Sequence, residues 1–180
     1  MAESGVQETG APIQRQGKYR ALAFAVAAAV FLADQLTKWI VISPLALQSR
    51  RQIELLPFFD LTWVENRGVS MGYLPATDET TRWLLVAMTV AIAIGVLFWL
   101  WRERSRGDSL ALALVLGGAL GNIVDRVRYG YVADFLDLHI GEFRPFLIFN
   151  VADAAISIGV LLLLARALLT RDKKSPREEV

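Results

Sequence analysis

The chain has 180 residues, 54% of them apolar and 21% charged, with a mean hydropathy of +0.41. A soluble domain carries about 25% charged residues, so this composition is displaced towards lipid, and it is far too apolar for a disordered chain. The 19 basic and 18 acidic side chains nearly cancel, which gives no general attraction to nucleic acid. With no cysteine there is no disulfide framework, no thiolate metal site and no thiol nucleophile.

Residues 1–17 are polar and predict a disordered tail ahead of a single membrane domain over 18–170. Within it, four blocks come near the length of about 20 apolar residues that a helical span needs. The first, about 21–42, carries no polar side chain between Ala21 and Ala33. Its flanking Arg15, Lys18 and Arg20 would also suit a secretory signal peptide, but no small-residue cleavage site ends the run. The helical pattern continues instead through Asp34 and Lys38 to Ile40. The following loop, 43–82, contains IELLPFFDLTWVENRGVSMG, in which aromatic and β-branched residues partly alternate. That pattern predicts a short strand or hairpin at the membrane surface, ended by the Asn66-Arg67-Gly68 turn.

The second span, about 83–101, is uncharged and places Trp83, Trp99 and Trp101 where interfacial aromatic belts sit. The third, about 109–127, holds Gly117, Gly118 and Gly121, whose small size lets helices approach closely, and is expected to be innermost. Loop 128–147 mixes Tyr129, Tyr131, Phe135 and Phe143 with charges, which predicts an amphipathic loop resting on the lipid interface. The fourth span, about 148–169, is interrupted only by Asn150, Asp153 and Ser157, and a polar tail follows over 171–180. The expected fold class is an all-α membrane protein of four transmembrane helices, with a small extracytoplasmic β-like segment and an amphipathic loop. Residues 1–20, 102–108 and 166–180 hold 11 Lys/Arg in 42 positions, whereas 43–82 and 125–147 hold 7 in 63. By the positive-inside rule both termini face the cytoplasm and both long loops face outward.

An ionisable group within a span costs about 2.5–3.5 kcal/mol, so each needs a reason. Asp34 and Lys38 lie one helical turn apart and can pair, either as an anchor with Lys38 snorkelling or as part of a site. Glu103 and Asp108 flank a short turn and read as solvated. Asn122, Asp125 and Arg126 close the third span, where Asp125 and Arg126 also suit a self-neutralising helix end. Asp137, beside Asp134, reads as loop solvation, and His139, the lone imidazole, as structural. Asp153, counted from Ile148, stands roughly 7–8 Å below the start of its helix and shares a face with Asn150. The chain has no HExxH, GxSxG or phosphate-cradling glycine loop. Paired carboxylates remain as the catalytic option. Two Asp brought close cannot both ionise cheaply, so one keeps a proton to donate while the other takes one from water. An ion or proton pathway also places Asp inside spans and fits the composition nearly as well, whereas a non-catalytic assembly subunit would leave Asp134 and Asp153 without a shared purpose.

Five strings occur in order: DQLTK at 34–38, NRG at 66–68, GNIVDR at 121–126, VADF at 132–135 and FNVAD at 149–153. Together they resemble the lipoprotein signal peptidase (signal peptidase II) family of bacterial integral-membrane aspartyl proteases, over roughly residues 20–170. The resemblance implies a catalytic dyad of Asp134 and Asp153. Asn66, Asn122, Asp125, Arg126 and Asn150 match polar residues that frame the site and hold the substrate backbone, and Asp34 and Lys38 match a supporting pair. It also implies a prolipoprotein substrate whose Cys carries diacylglycerol, cleaved on the amino side of that Cys, with membrane lipids as a further partner. No cofactor, metal or nucleic acid is implied. The location implied is the bacterial cytoplasmic membrane, with the active site at its outer face. After its NxG the family often has two small residues and Phe, whereas this chain has Val69, Ser70 and Met71, a difference that bears on pocket shape. The competing reading, a small ion- or proton-conducting protein, predicts ionisable groups spread through the membrane midplane, and here they cluster towards the outer ends.

Overall fold

A computed structural model describes residues 12–68 and 79–171. In chain order these form α1 (Pro12–Ile42), α2 (Leu47–Arg50), β1 (Gln52–Leu56), β2 (Phe59–Asn66), α3 (Glu79–Arg102), α4 (Arg106–Tyr129), β3 (Val132–Leu138) and α5 (Val151–Arg171). Four helices are long and apolar enough to cross a membrane: α1 from Tyr19, α3, α4, and α5 to Leu169. Helix α1 begins earlier than the apolar run suggests. Residues 12–17, expected in the tail, are already helical, and Pro12 suits a first turn because its missing N–H would have no partner there. The rest of both tails, and Val69, Ser70 and Met71, lie outside the described residues.

Helix α4 is the innermost, with 56% of its apolar window buried against 17–22% in the other three. Small residues make this possible: a Cβ on Gly118 would meet the Ala152 carbonyl of α5 at 2.5 Å. Ser105 caps the start of α4 by accepting from Asp108 N, and Gly130, at φ 83°, ends it in the left-handed conformation that glycine adopts without strain. Asp108 is not simply solvated. Its carboxylate receives Arg166 Nε of α5 at 2.6 Å, tying the two helices together away from the sheet.

The three strands form one antiparallel sheet in the order β1-β2-β3, at the end of the bundle where α1 finishes. Val41, Leu47, Leu61, Trp63, Ala133 and Phe135 make a core beneath it, apart from the one that Ala23, Ala27, Ala93, Leu100, Leu112 and Leu116 form among the helices. The amphipathic loop expected over 128–147 therefore contains a strand. Val132 to Phe135 are all buried, so no alternation of apolar and polar residues marks the strand in the sequence. Asp137 is 1% exposed and bound by Thr62 and Arg144, which corrects its reading as a solvated loop residue. Beyond β3 the chain returns to pair Phe149 with Leu136, and α5 starts immediately afterwards. This return brings the start of α5 beside β3.

Candidate active site

Strand alternation directs Asp134 away from its neighbours Ala133 and Phe135, which belong to the core beneath the sheet. Asp134 is 1% exposed and accepts a hydrogen bond from Asn150 Nδ2 at 2.7 Å and another from the Asn66 side chain. Asn150 and Asp153 cap α5 reciprocally: Asp153 N donates to Asn150 Oδ1 at 2.9 Å, and Asn150 N donates to Asp153 Oδ2 at 3.3 Å. Asp153 is thus in the first turn of α5 rather than well inside a span, because the helix starts at Val151 and not at Ile148. On the other side, Asn122 Nδ2 donates to Asp153 Oδ1 at 2.8 Å, and its Oδ1 accepts from Asn150 Nδ2 at 3.3 Å. A two-amide bridge, Asn122 and Asn150, therefore joins the carboxylates of Asp153 and Asp134.

A charged cluster lies behind this bridge. Lys38 Nζ stands 2.8 Å from both Asp34 Oδ2 and Asp125 Oδ2, and it also reaches Asn122 Oδ1 at 3.3 Å. None of these three charged side chains is more than 3% exposed, so Lys38 does not snorkel to the interface. The two acids grip backbone as well. Asp34 Oδ1 accepts from Ala152 N at 3.0 Å, and Asp125 Oδ2 accepts from Ala133 N at 3.1 Å. Ala152 and Ala133 immediately precede Asp153 and Asp134, so one lysine-centred cluster fixes the backbone at both aspartates. Gly121 is required here, because a Cβ would collide with the Asp34 carboxylate.

Burial pushes the Asp134 carboxyl up to about 7, and the negative charge of Asp153 adds to the shift, against the opposing hydrogen bonds of Asn66 and Asn150 and the charge of Lys38. Arg126 stands in the field of Asp153, Asp134 and Asp125, and its Nε is buried with no hydrogen-bond partner among the described residues. Two cavities meet at the site. One, of about 750 Å³, is lined by Asn66, Arg67, Arg126, Asp134 and Arg144. The other, of about 380 Å³ and nearly all apolar, is lined by Leu138, Phe149, Asp153 and Ile158. Phe146 and Leu147 line both and form the wall between them.

All nine residues singled out from the sequence lie in this region: seven in the bonded network, Asn66 on Asp134, and Arg126 on the cavity wall. Gln35 was missed. Its Nε2 lies 3.2 Å from both Asp34 Oδ2 and Asp125 Oδ1 and 3.4 Å from Gly121 O, a role signalled only by a second polar residue beside Asp34 in an apolar run. Arg82 was also missed; it donates to the Arg126 carbonyl at 2.9 Å and closes the end of α4. Among the described residues no three His, Cys, Asp or Glu side chains are grouped to hold a metal ion.

Comparison with known proteins gives a consistent result. A bacterial membrane enzyme solved by the in meso method at 2.3 Å superposes with a TM-score of 0.72 at 30% identity, covering 89% of this chain and 94% of that one. The lipoprotein signal peptidase of Rhizorhabdus wittichii is 61% identical over 162 residues, which is 90% of this chain and 94% of that protein. The lipoprotein signal peptidase of Sphingopyxis alaskensis is 64% identical over 147 residues, 82% of this chain and 85% of that protein. The family model described as signal peptidase (SPase) II matches residues 26–169, a stretch holding α1 from Val26 onward, α3, α4, α5 to Leu169, the sheet and the whole carboxylate network. This four-helix membrane chain belongs to the signal peptidase II family of peptidases.

Proposed function

We propose that the chain is an aspartic endopeptidase of the bacterial cytoplasmic membrane that removes the signal peptide from diacylglyceryl-modified prolipoproteins, on the amino side of the lipidated Cys. Asp134 and Asp153 form the dyad. The observation that carries this reading is the Asn122–Asn150 bridge joining two carboxylates, one of them buried and holding its proton up to about pH 7. Protonated Asp134 donates to the scissile carbonyl oxygen while Asp153 takes a proton from the attacking water, giving a neutral gem-diol. Collapse returns a hydroxyl proton to Asp134, and Asp153 protonates the leaving amine of the Cys. The C–N bond breaks, leaving a carboxyl end on the signal peptide and a free amino group on the Cys.

The surroundings suit such a substrate. The polar cavity at Asp134 offers Asn66 and Arg126 to peptide carbonyls, and the apolar cavity at Asp153 suits hydrophobic side chains or acyl carbons. Buried CH₂ groups, at about 0.8 kcal/mol each, would hold the scissile bond at the membrane surface. The basic-residue bias puts both termini in the cytoplasm and the dyad at the outer face. An ion-conducting role is disfavoured, because residues 21–33, 109–124 and 154–165 carry no ionisable side chain through the middle of α1, α4 and α5.

The test is incubation of the purified chain with a diacylglyceryl prolipoprotein, read by mass spectrometry. Cleavage before the lipidated Cys is expected, with a loss of about 10²–10⁴-fold in Asp134→Asn and in Asp153→Asn. Near-normal turnover in either variant removes that residue from the dyad, and no cleavage by the parent chain in any lipid removes the activity.

A further inference from the structure

Helices α1 and α3 both pack on α4, and an apolar groove runs between them on the lipid-facing side. Its upper part, about 480 Å³, is lined by Ala27, Ala28 and Phe31 of α1 and by Val90 and Ala93 of α3, with Leu120 of α4 at its floor. A lower part of about 380 Å³ continues to Phe98 and Trp101, and the two share Phe24, Ile94 and Leu97. From Val90 to Trp101 the groove follows roughly 16 Å of helix, which matches one leaflet of a hydrocarbon core about 30 Å thick.

The groove ends at cations, at the end of the bundle opposite the sheet. The Arg20 guanidinium lies over the Trp101 ring at 5.2 Å, and that of Arg102 over the Phe98 ring at 4.8 Å. Neither arginine has an ion pair among the described residues, and Arg20 Nε is buried there without a hydrogen-bond partner. Two arginines that have no counter-ion among the described residues, at the mouth of a leaflet-deep apolar groove, match one chemistry, an acyl chain joined to a phosphate that carries net negative charge.

We propose that this groove binds one anionic phospholipid, its acyl chain lying along α1 and α3 and its phosphate held by Arg20 and Arg102. A zwitterionic lipid fits the groove equally well but brings its own cation to the arginines, so the site discriminates by headgroup charge. Neither arginine touches the carboxylate network, and the site stands independently of the proposed peptidase chemistry.

Native mass spectrometry of the full chain, purified in detergent and offered equal amounts of phosphatidylglycerol and phosphatidylcholine, tests the proposal. The parent should retain one phosphatidylglycerol with a preference of about tenfold, and Arg20→Gln/Arg102→Gln should lose that preference. Ala28→Phe, at an exposed position on the groove wall, should reduce retention of both lipids. Equal retention of the two lipids by the parent overturns the proposal, as does an undiminished preference in the double variant. Should Ala28→Phe fail to fold, the double arginine variant alone decides.

Discussion

Strand β3 carries two aspartates three residues apart, on opposite faces and each 1% exposed, yet their surroundings differ in kind. Asp137 accepts from Thr62 Oγ1 at 3.1 Å and from Arg144 Nε at 3.1 and 3.3 Å, so its charge is matched by a guanidinium. Asp134 is held by the neutral amides of Asn150 and Asn66 and faces a second carboxylate, and it keeps its proton to about pH 7. Equal burial leaves the two carboxyls in different company, and the acid role proposed above falls to the one with no guanidinium bound to it. Substitutions that treat the two positions alike should therefore give opposite results. Asp134→Asn should lower prolipoprotein cleavage by about 10²–10⁴-fold. Asp137→Asn keeps an oxygen acceptor for Thr62 and Arg144 and should leave kcat close to that of the parent. Equal losses at both positions would mean the sheet, and not the chemistry, is what fails.

The same contrast applies to Lys38, the cation that stands between two acids behind the site. Removing one partner of a buried charge cluster leaves the others uncompensated, at a cost of about 3–5 kcal/mol. Lys38→Met should destabilise the fold by that amount, measured by thermal or denaturant unfolding in micelles, because Asp34 and Asp125 then face each other across a gap with no cation. Adding Asp34→Asn should recover part of the loss. A Lys38→Met protein that melts like the parent would show that the cluster is already neutral.

Much of this was legible in the sequence, and the limits have physical causes. The four spans follow from apolar runs long enough for a bilayer, and the inner position of α4 follows from Gly117, Gly118 and Gly121. The polar residues that the fold gathers stood out because Asp34, Lys38, Asn122, Asp125, Asn150 and Asp153 interrupt or border those runs. Strand β3 was hidden because its first four residues are buried on both faces and show no period of two. The depth of Asp153 was overestimated because apolar Phe146 to Ile148 look like helix, whereas Phe146 lies in a bend, Leu147 and Ile148 are outside any helix, and Phe149 pairs with Leu136. The backbone grips on Ala133 and Ala152 could not be read at all, since an amide hydrogen leaves no residue-type signature.

A smaller effect, and one of opposite sign to most core changes, concerns pH. An unfolded Asp carboxyl releases its proton near 3.8, whereas folded Asp134 keeps it up to about 7. The folded chain holds the extra proton between those values, so stability falls as pH rises from 3.8 through 7, and the penalty is complete above 7. At 1.36 kcal/mol per unit the penalty reaches about 4 kcal/mol as an upper value. Asp134→Asn removes it. That variant should melt above the parent at pH 8.5, and the gap should close as pH falls towards 4. An Asp134→Asn protein no more stable than the parent at pH 8.5 would mean that Asp134 ionises without strain in the fold.

The smallest expected effect is at His139, the one imidazole in the chain and thus the obvious rival for proton transfer near neutrality. With Asp134 protonated up to about 7, the proposed dyad predicts that cleavage declines above that pH and declines again in acid as the pair gains its second proton. His139 stands at the Asp137 end of the sheet, with Nε2 3.1 Å from Asp60 Oδ2 and Nδ1 3.2 Å from Gly141 O. It borders a separate cavity of about 640 Å³ shared with Gln52 and Glu54, and it does not line either cavity at Asp134 or Asp153. Gln52 Nε2 already donates to Asp60 Oδ2 at 2.7 Å, so Asp60 keeps a partner when the imidazole is lost. His139→Gln should therefore preserve both limbs of the pH–rate profile, with the alkaline limb unmoved, and cost little activity. Loss of that limb in His139→Gln would assign the proton transfer to the imidazole, and the two-aspartate mechanism would have to be withdrawn.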